Sequence, residues 1–545
     1  MKVAPAIAEI LKQEGVECVI GYPVNPVIEA AAAADIRTLI VRQERVGLHM
    51  ADAVSRLSSG QRIGVFALQH GPGAENAFGG IAQAFSESVP ILVFAAGYGR
   101  RVNNYDPFFS AYRNYQHIVK WIEQLNCADA TVDVMRRAFS QLRTGRPRPV
   151  VIEIPVDVYP EEVPEPLAYT PTFAARSGPD PREVPAVAEA LVAASRPVIY
   201  AGQGIHYAQA WSQLRELAEL LEAPVVTSLG GKSAFPETHP LSAGSAGRSI
   251  PKTVFHFLQQ ADLIFGIGCS FTTSNFATPM PKGKTLIHAT LDPRDLNKNV
   301  TAARGLVGDA GLVLEALIPQ VRERLAGKPR GRSAAVAEEI RSVRADWLKD
   351  WTPKLTSDEM PLSPYRVLAD LAKTVDVANT IITHDAGSPR DQLSPFWQSV
   401  TPLSYIGWGK STQLGYGLGL ALGAKLACPD KLCINVWGDA AIGMTGMDFE
   451  TAVRERLPIL SILLNNFCMA MELPVMKAAT EKFRSTDISG NYAEMAKAFG
   501  GYGERVTRPE EIIPAIRRGI RKTQEGVPTL LEFITGKELA CSQFK

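Results

Sequence analysis

Asp439 and Asn466 are the two side chains in this sequence whose types and spacing most directly suggest shared chemistry. Residues 432–437 form an apolar run that meets a tight turn at Gly438-Asp439-Ala440. Residues 459–464 form a second apolar run, ending in Asn465-Asn466. Between them, residues 447–456 have helical character, with Pro458 as a stop. A strand–helix–strand unit of this length joins parallel strands. It brings Asp439 and Asn466 to the carboxyl ends of neighbouring strands, where doubly wound sheets bind ligands. A carboxylate and an amide oxygen held together suit Mg²⁺, which takes oxygen ligands and shares them with a phosphate. The turn at 438–441 feeds a helix whose first N–H groups can hold that phosphate. Each feature alone reads as an ordinary strand-end Asp or turn Asn pair; together they predict a diphosphate bound through a metal.

Composition bounds the setting. A length of 545 residues implies two to four domains, and 46% hydrophobic residues supply large cores. The net charge of +1 gives no electrostatic case for nucleic acid or an anionic membrane as partner. The start MKVAPAIAEILKQEG carries charge too early for a secretory signal, and no apolar run approaches the ~20 residues of a membrane span. The seven cysteines form no metal-ligand pattern. A cytoplasmic enzyme with reduced thiols and a small-molecule substrate is expected.

The elements alternate. Residues 5–15 read as a helix, 16–20 as a strand and 21–23 as a turn. A strand at 39–42 runs into Gln43-Glu44-Arg45, before a helix over 46–57. A strand at 63–68 precedes Gly71-Pro72-Gly73, which opens a helix through Asn76, and further strands lie at 90–96 and 149–155. After a Pro-rich linker at 159–181, strands at 197–201, 224–227, 262–266 and 285–290 flank a helix at 208–221. A charged, helix-bearing linker at 325–363 leads to a helix at 365–374 and a strand at 380–383. This is α/β alternation, hence parallel sheets.

Gly438-Asp439-Ala440 followed at this interval by Asn465-Asn466 resembles the signature of thiamine diphosphate (ThDP) enzymes, with Ala440 as in acetolactate synthases. Glu44, the stretch GLHMADAVSR, and Gly71-Pro72-Gly73-Ala74-Glu75-Asn76 match that family's pyrimidine-binding domain in order. The resemblance spans essentially the whole chain. It implies three domains, each a doubly wound, mostly parallel sheet: pyrimidine-binding at 1–165, middle at 182–330 and pyrophosphate-binding at 355–545. It also implies a homodimer or homotetramer with the active site between subunits.

The resemblance assigns residues. Asp439, Asn466 and the carbonyl of Cys468 would hold Mg²⁺. Pro23, Gly73, Asn76, Gly387, Ser388, Gly438, Ala440, Ala441 and Met469 would contact ThDP. Leu414, before a Gly-x-Gly, would prop the cofactor into a V shape. Glu44 would hydrogen-bond the aminopyrimidine and drive proton removal from the thiazolium, its pKa lifted by apolar neighbours. Gln69 and His70 would face the thiazolium. Glu472 lies six residues past Asn466, the offset at which pyruvate and indolepyruvate decarboxylases carry a catalytic acid/base. Asn25, Tyr105 and Phe108 are expected on the substrate side. Acetolactate synthases bind FAD in the middle domain through an arginine-containing segment. Residues 269–274 here read CSFTTS, so a structural middle domain without FAD is expected. The leading functional expectation is decarboxylation or carboligation of a 2-oxo acid. The alternatives are a lyase resembling oxalyl-CoA decarboxylase and 2-hydroxyacyl-CoA lyase, or a diketone hydrolase.

Overall fold

A computed structural model describes residues 1–103 and 105–544. Three apolar, β-branched strand sets build three six-stranded sheets, every strand pairing parallel to its neighbours. The first contains β1 (Cys18–Tyr22), β2 (Arg37–Ile40), β3 (Gly64–Leu68), β4 (Ile91–Gly97), β5 (Trp121–Gln124) and β6 (Val150–Pro155), in the order β2-β1-β3-β4-β6-β5. The second contains β7 (Pro197–Ala201), β8 (Val225–Thr227), β9 (Ser242–Ser245), β10 (Leu263–Ile267), β11 (Thr285–Thr290) and β12 (Arg304–Val307), in the order β12-β11-β10-β7-β8-β9. The third contains β13 (Thr380–His384), β14 (Tyr405–Ile406), β15 (Leu432–Gly438), β16 (Leu460–Asn465), β17 (Tyr502–Val506) and β18 (Thr529–Ile534), in the order β14-β13-β15-β16-β18-β17. The α/β class with three parallel sheets is as the sequence implied. The central strands are buried along nearly their whole length, because helices cover both faces.

Five helices matter for the site: α1 (Glu44–Leu57), α2 (Pro72–Ser86), α3 (Ser388–Leu393), α4 (Tyr416–Ala427) and α5 (Asp439–Thr445). Helices α1 and α4 pack so closely that glycines are required in α4. A Cβ on Gly419 would stand 2.6 Å from His49 Cβ, and one on Gly423 would stand 2.3 Å from the Met50 carbonyl oxygen. This contact joins one face of the first sheet to one face of the third, with Leu48, Phe66, Trp408, Leu418 and Trp437 in a single cluster, while the other face of each keeps its own core. The middle sheet keeps its own core around Ile199, Leu217 and Phe265.

The structure departs from the sequence reading at several ends. Glu44 is the first residue of α1, which begins two residues before the helix expected at 46–57. The helix expected at 447–456 begins eight residues early, at Asp439, and then breaks into a 3-10 turn (Gly446–Asp448) and a helix ending at Arg454. Extended Gly438 is the residue before the helix, and Asp439 opens it as an acidic first-turn residue favoured by the helix dipole. Strands β5, β9, β12, β14, β17 and β18 have no counterpart among the strands expected from the sequence. All but β18 are short, at two to five residues, and β18 has its apolar run broken by Glu532.

Candidate functional site

Register brings the Asp439 and Asn466 turns together. Strands β15 and β16 pair with Gly438 opposite Leu464, so both chains leave the sheet side by side. Asp439 Oδ2 accepts from the N–H groups of Asn466 (3.2 Å) and Cys468 (3.1 Å), and Oδ1 from Ala440 (2.8 Å). Burial raises the Asp439 pKa, and these N–H groups oppose the rise. The two asparagines divide the work. Asn465 is fully buried; its Nδ2 donates to Glu532 Oε1 (2.7 Å) and its Oδ1 accepts from Phe467 N–H (3.0 Å). It thereby fixes a turn in which Phe467 adopts a left-handed φ of +55°. Asn466 Oδ1, by contrast, is buried with no hydrogen-bond partner among the described residues.

Asp439, Asn466 and Cys468 border a cleft, together with Gly387, Ser388, Leu414, Met469 and Glu472. The donor set fits a divalent cation that takes oxygen ligands: one carboxylate, one orphaned amide oxygen and the Cys468 carbonyl. That carbonyl accepts from Ala470 N–H at 2.8 Å and keeps a second lone pair. Among the described residues, no cluster of three His, Cys, Asp or Glu offers an alternative metal site. Asp385 binds the walls of this cleft to each other. Its Oδ1 accepts from Ala386 and Gly415 N–H, and its Oδ2 from Gly417 N–H, at 2.7–2.8 Å. Burial lifts its pKa to about 6.

The remaining candidates lie on the carboxyl edge of the first sheet: Pro23 after β1, Gln69 and His70 after β3, and Glu44 at the start of α1. Glu44 is 2% exposed; burial raises its pKa, and a hydrogen bond from Asn76 opposes the rise. Gly73 faces both Gln69 and Glu44: a Cβ there would crowd Gln69 Cγ at 2.9 Å and lie in ordinary contact, 3.5 Å, with Glu44 Oε1. The His70 ring packs edge-on against Tyr98, which stacks on Phe108 at 4.3 Å. Tyr105 is exposed nearby in sequence. Asn25, expected on the substrate side, is instead spent on the fold. Its Oδ1 caps a helix at Val27 N–H and its Nδ2 donates to the Leu68 and Phe94 carbonyls.

The described lining of the Asp439 cleft runs from Pro364 to Gly536 and does not include Glu44. The two sheet edges nevertheless meet. Arg42 N–H donates to Asp448 Oδ1 (2.8 Å), and Arg45 reaches the Met444 carbonyl. A second cavity opens between the sheets against Gly204, Gly268, Asp292, Glu87 and Lys410. Asp385 and Glu532 carry no motif in the sequence, because each acts through contacts with segments 30 or more residues away in the chain.

Three family models match in order. They are the thiamine pyrophosphate enzyme N-terminal TPP binding domain (residues 1–124), the central domain (184–317) and the C-terminal TPP binding domain (385–533). The acetolactate synthase isozyme 3 large subunit of Escherichia coli is 30% identical over 542 residues, covering 93% of this chain and 90% of that one. A probable acetolactate synthase large subunit of Methanococcus aeolicus is 29% identical, over 99% of this chain and 93% of its own. The crystal structure of benzoylformate decarboxylase from Polynucleobacter necessarius superposes with a TM-score of 0.82 at 22% identity. It covers 99% of both chains and thus shares the fold.

Proposed function

The chain belongs to the thiamine pyrophosphate enzymes, and on that premise we propose that it is a Mg²⁺-dependent decarboxylase or carboligase of 2-oxo acids, similar to acetolactate synthase. One observation carries the metal: the buried, unpartnered Asn466 Oδ1 beside an Asp439 carboxylate already oriented by three N–H groups. Asp439, Asn466 and the Cys468 carbonyl would hold the ion. Gly387, Ser388, Gly438, Ala440, Ala441 and Met469 would cradle the diphosphate, and Leu414 would support the ring system. When bound, ThDP supplies the electron sink next to the substrate carbonyl.

The chain's own residues supply position and protons. Glu44, kept more protonatable by burial, would share a proton with the pyrimidine ring, with Asn76 as its hydrogen-bond partner. Glu472 is exposed at the cleft rim, where it would exchange protons with a substrate carbonyl. Gln69 and His70, backed by Tyr98 and Phe108, would line the substrate side.

The active unit we infer is a homodimer or a dimer of dimers, with Glu44 of one copy closing the Asp439 cleft of the other. Exposed apolar side chains at the two sheet edges support this: Val24 and Tyr105 on one, Met444, Met447 and Val475 on the other. Calorimetric titration of ThDP with and without Mg²⁺ tests the cofactor. Asp439→Asn is expected to weaken binding at least ~10-fold. Glu44→Gln is expected to bind ThDP yet lower CO₂ release from pyruvate or a larger 2-oxo acid by ~10²-fold or more. An unimpaired Glu44→Gln enzyme would overturn the role of Glu44. Cofactor binding without CO₂ release from any 2-oxo acid would overturn the reaction.

A further inference from the structure

We propose that Glu87, which touches neither cleft candidate nor metal ligand, is a positioning residue that sets the loop carrying Leu414. Glu87 follows the last residue of α2 and is 1% exposed. Its Oε1 accepts from three successive N–H groups of the third unit: Gly409 (3.2 Å), Lys410 (2.7 Å) and Ser411 (3.4 Å). A buried carboxylate in a nest of consecutive N–H groups makes charge-assisted bonds, stronger than neutral ones and dependent on the loop's backbone shape. Two further contacts from α2 reinforce it. Gln83 Nε2 donates to Ser411 Oγ at 3.1 Å, and a Cβ on Gly79 would come within 2.3 Å of Gln413 Nε2. The α2 face therefore follows the loop from Gly409 to Gln413, one residue short of Leu414.

Beyond Leu414 the loop is held by a different unit. Gly415, at φ +92°, donates to Asp385 Oδ1, and its carbonyl accepts from Thr445 Oγ1. Leu414 thus sits between two fixed points. The downstream one belongs to its own sheet; the upstream one is supplied by a helix of the first sheet. Removing Glu87 frees only the upstream side. The side chain at 414 then loses its fixed angle into the cleft, while the Asp439 turn is untouched.

The inference rests on the reading of Leu414 as a support for bound ThDP, so the experiment separates the two. The holoenzyme is prepared as wild type, Leu414→Ala, Glu87→Gln, Glu87→Ala and the Leu414→Ala/Glu87→Ala double variant. Two quantities are read: ThDP affinity by calorimetry at saturating Mg²⁺, and the rate of C2 hydrogen–deuterium exchange of bound ThDP by acid quench and NMR. Thermal midpoints are recorded without cofactor. Glu87→Ala is expected to slow exchange about tenfold, the equivalent of one charge-assisted hydrogen bond, with Glu87→Gln intermediate. The double variant is expected to be no slower than Leu414→Ala, because both act through one side chain. A Leu414→Ala enzyme with wild-type exchange overturns the reading of Leu414. A normal exchange rate in Glu87→Ala beside a slow Leu414→Ala, or strictly multiplicative effects, overturns the inference about Glu87. Should Glu87→Ala not fold, Gln83→Ala removes a bond to the same loop and is read by the same criteria.

Discussion

His49 shows how a single residue can record its surroundings. It lies on α1 against α4, with its ring edge-on to Trp408 at 4.8 Å, and neither ring nitrogen has a partner among the described residues. Burial, assisted by the Arg45 charge, pushes its pKa well below the ordinary value. The folded state therefore keeps His49 neutral, whereas the unfolded chain takes a proton below about pH 6.5. This contribution is fully present above that pH and is lost as pH falls below it, by up to ~1.4 kcal/mol per pH unit. His49→Leu, of similar size and without polar atoms, is expected to flatten the fall in stability between pH 6.5 and 5. Urea denaturation at several pH values measures this, and an unchanged slope would remove His49 from the account. At this scale the sequence was legible where partners are close in the chain or share a motif. Asp439 and Asn466 stand at the ends of one crossover, and Glu44 and Asn76 flank one strand. Glu87 and His49 were not legible, since their partners lie more than 300 residues away and their types suit any helix surface.

Among the elements, α4 explains its glycines by what it touches. Its Gly419 and Gly423 lie against α1, whose Val46 and Met50 carbonyls approach the α4 backbone. Gly419→Ala is expected to destabilise the protein by about 1–3 kcal/mol, because the new Cβ meets backbone and a Cβ rather than a movable side-chain tip. Gly443→Ala in α5 is the contrast: nothing lies within 4 Å, so helix propensity is expected to add up to ~1 kcal/mol. Denaturant midpoints of the two variants should shift in opposite directions. Element types were readable from apolar runs and turn residues. Element ends were not, as at Asp439, where the helix opens eight residues before the stretch that the sequence pattern marks as helical.

For the molecule as a whole, the shared core of the first and third sheets governs unfolding. Leu48 and Phe66 pack into the same cluster as Trp408 and Trp437, while the middle sheet folds about its own apolar centre. Differential scanning calorimetry of the cofactor-free protein is expected to resolve two transitions: one for the joined outer sheets and one for the middle sheet. Three transitions would mean that the α1–α4 contact is too weak to couple the outer sheets. The same contact sets a timetable for synthesis. His49 and Gly419 are separated by 370 positions (419 − 49), so at 5–20 residues per second the packing face of α1 leaves the ribosome roughly 20–75 s before α4 exists to cover it. During that interval the nascent chain presents Val46, Met50 and Ala53 to whatever holds or shields unfinished proteins, and the first sheet reaches its final environment only when the third is nearly complete.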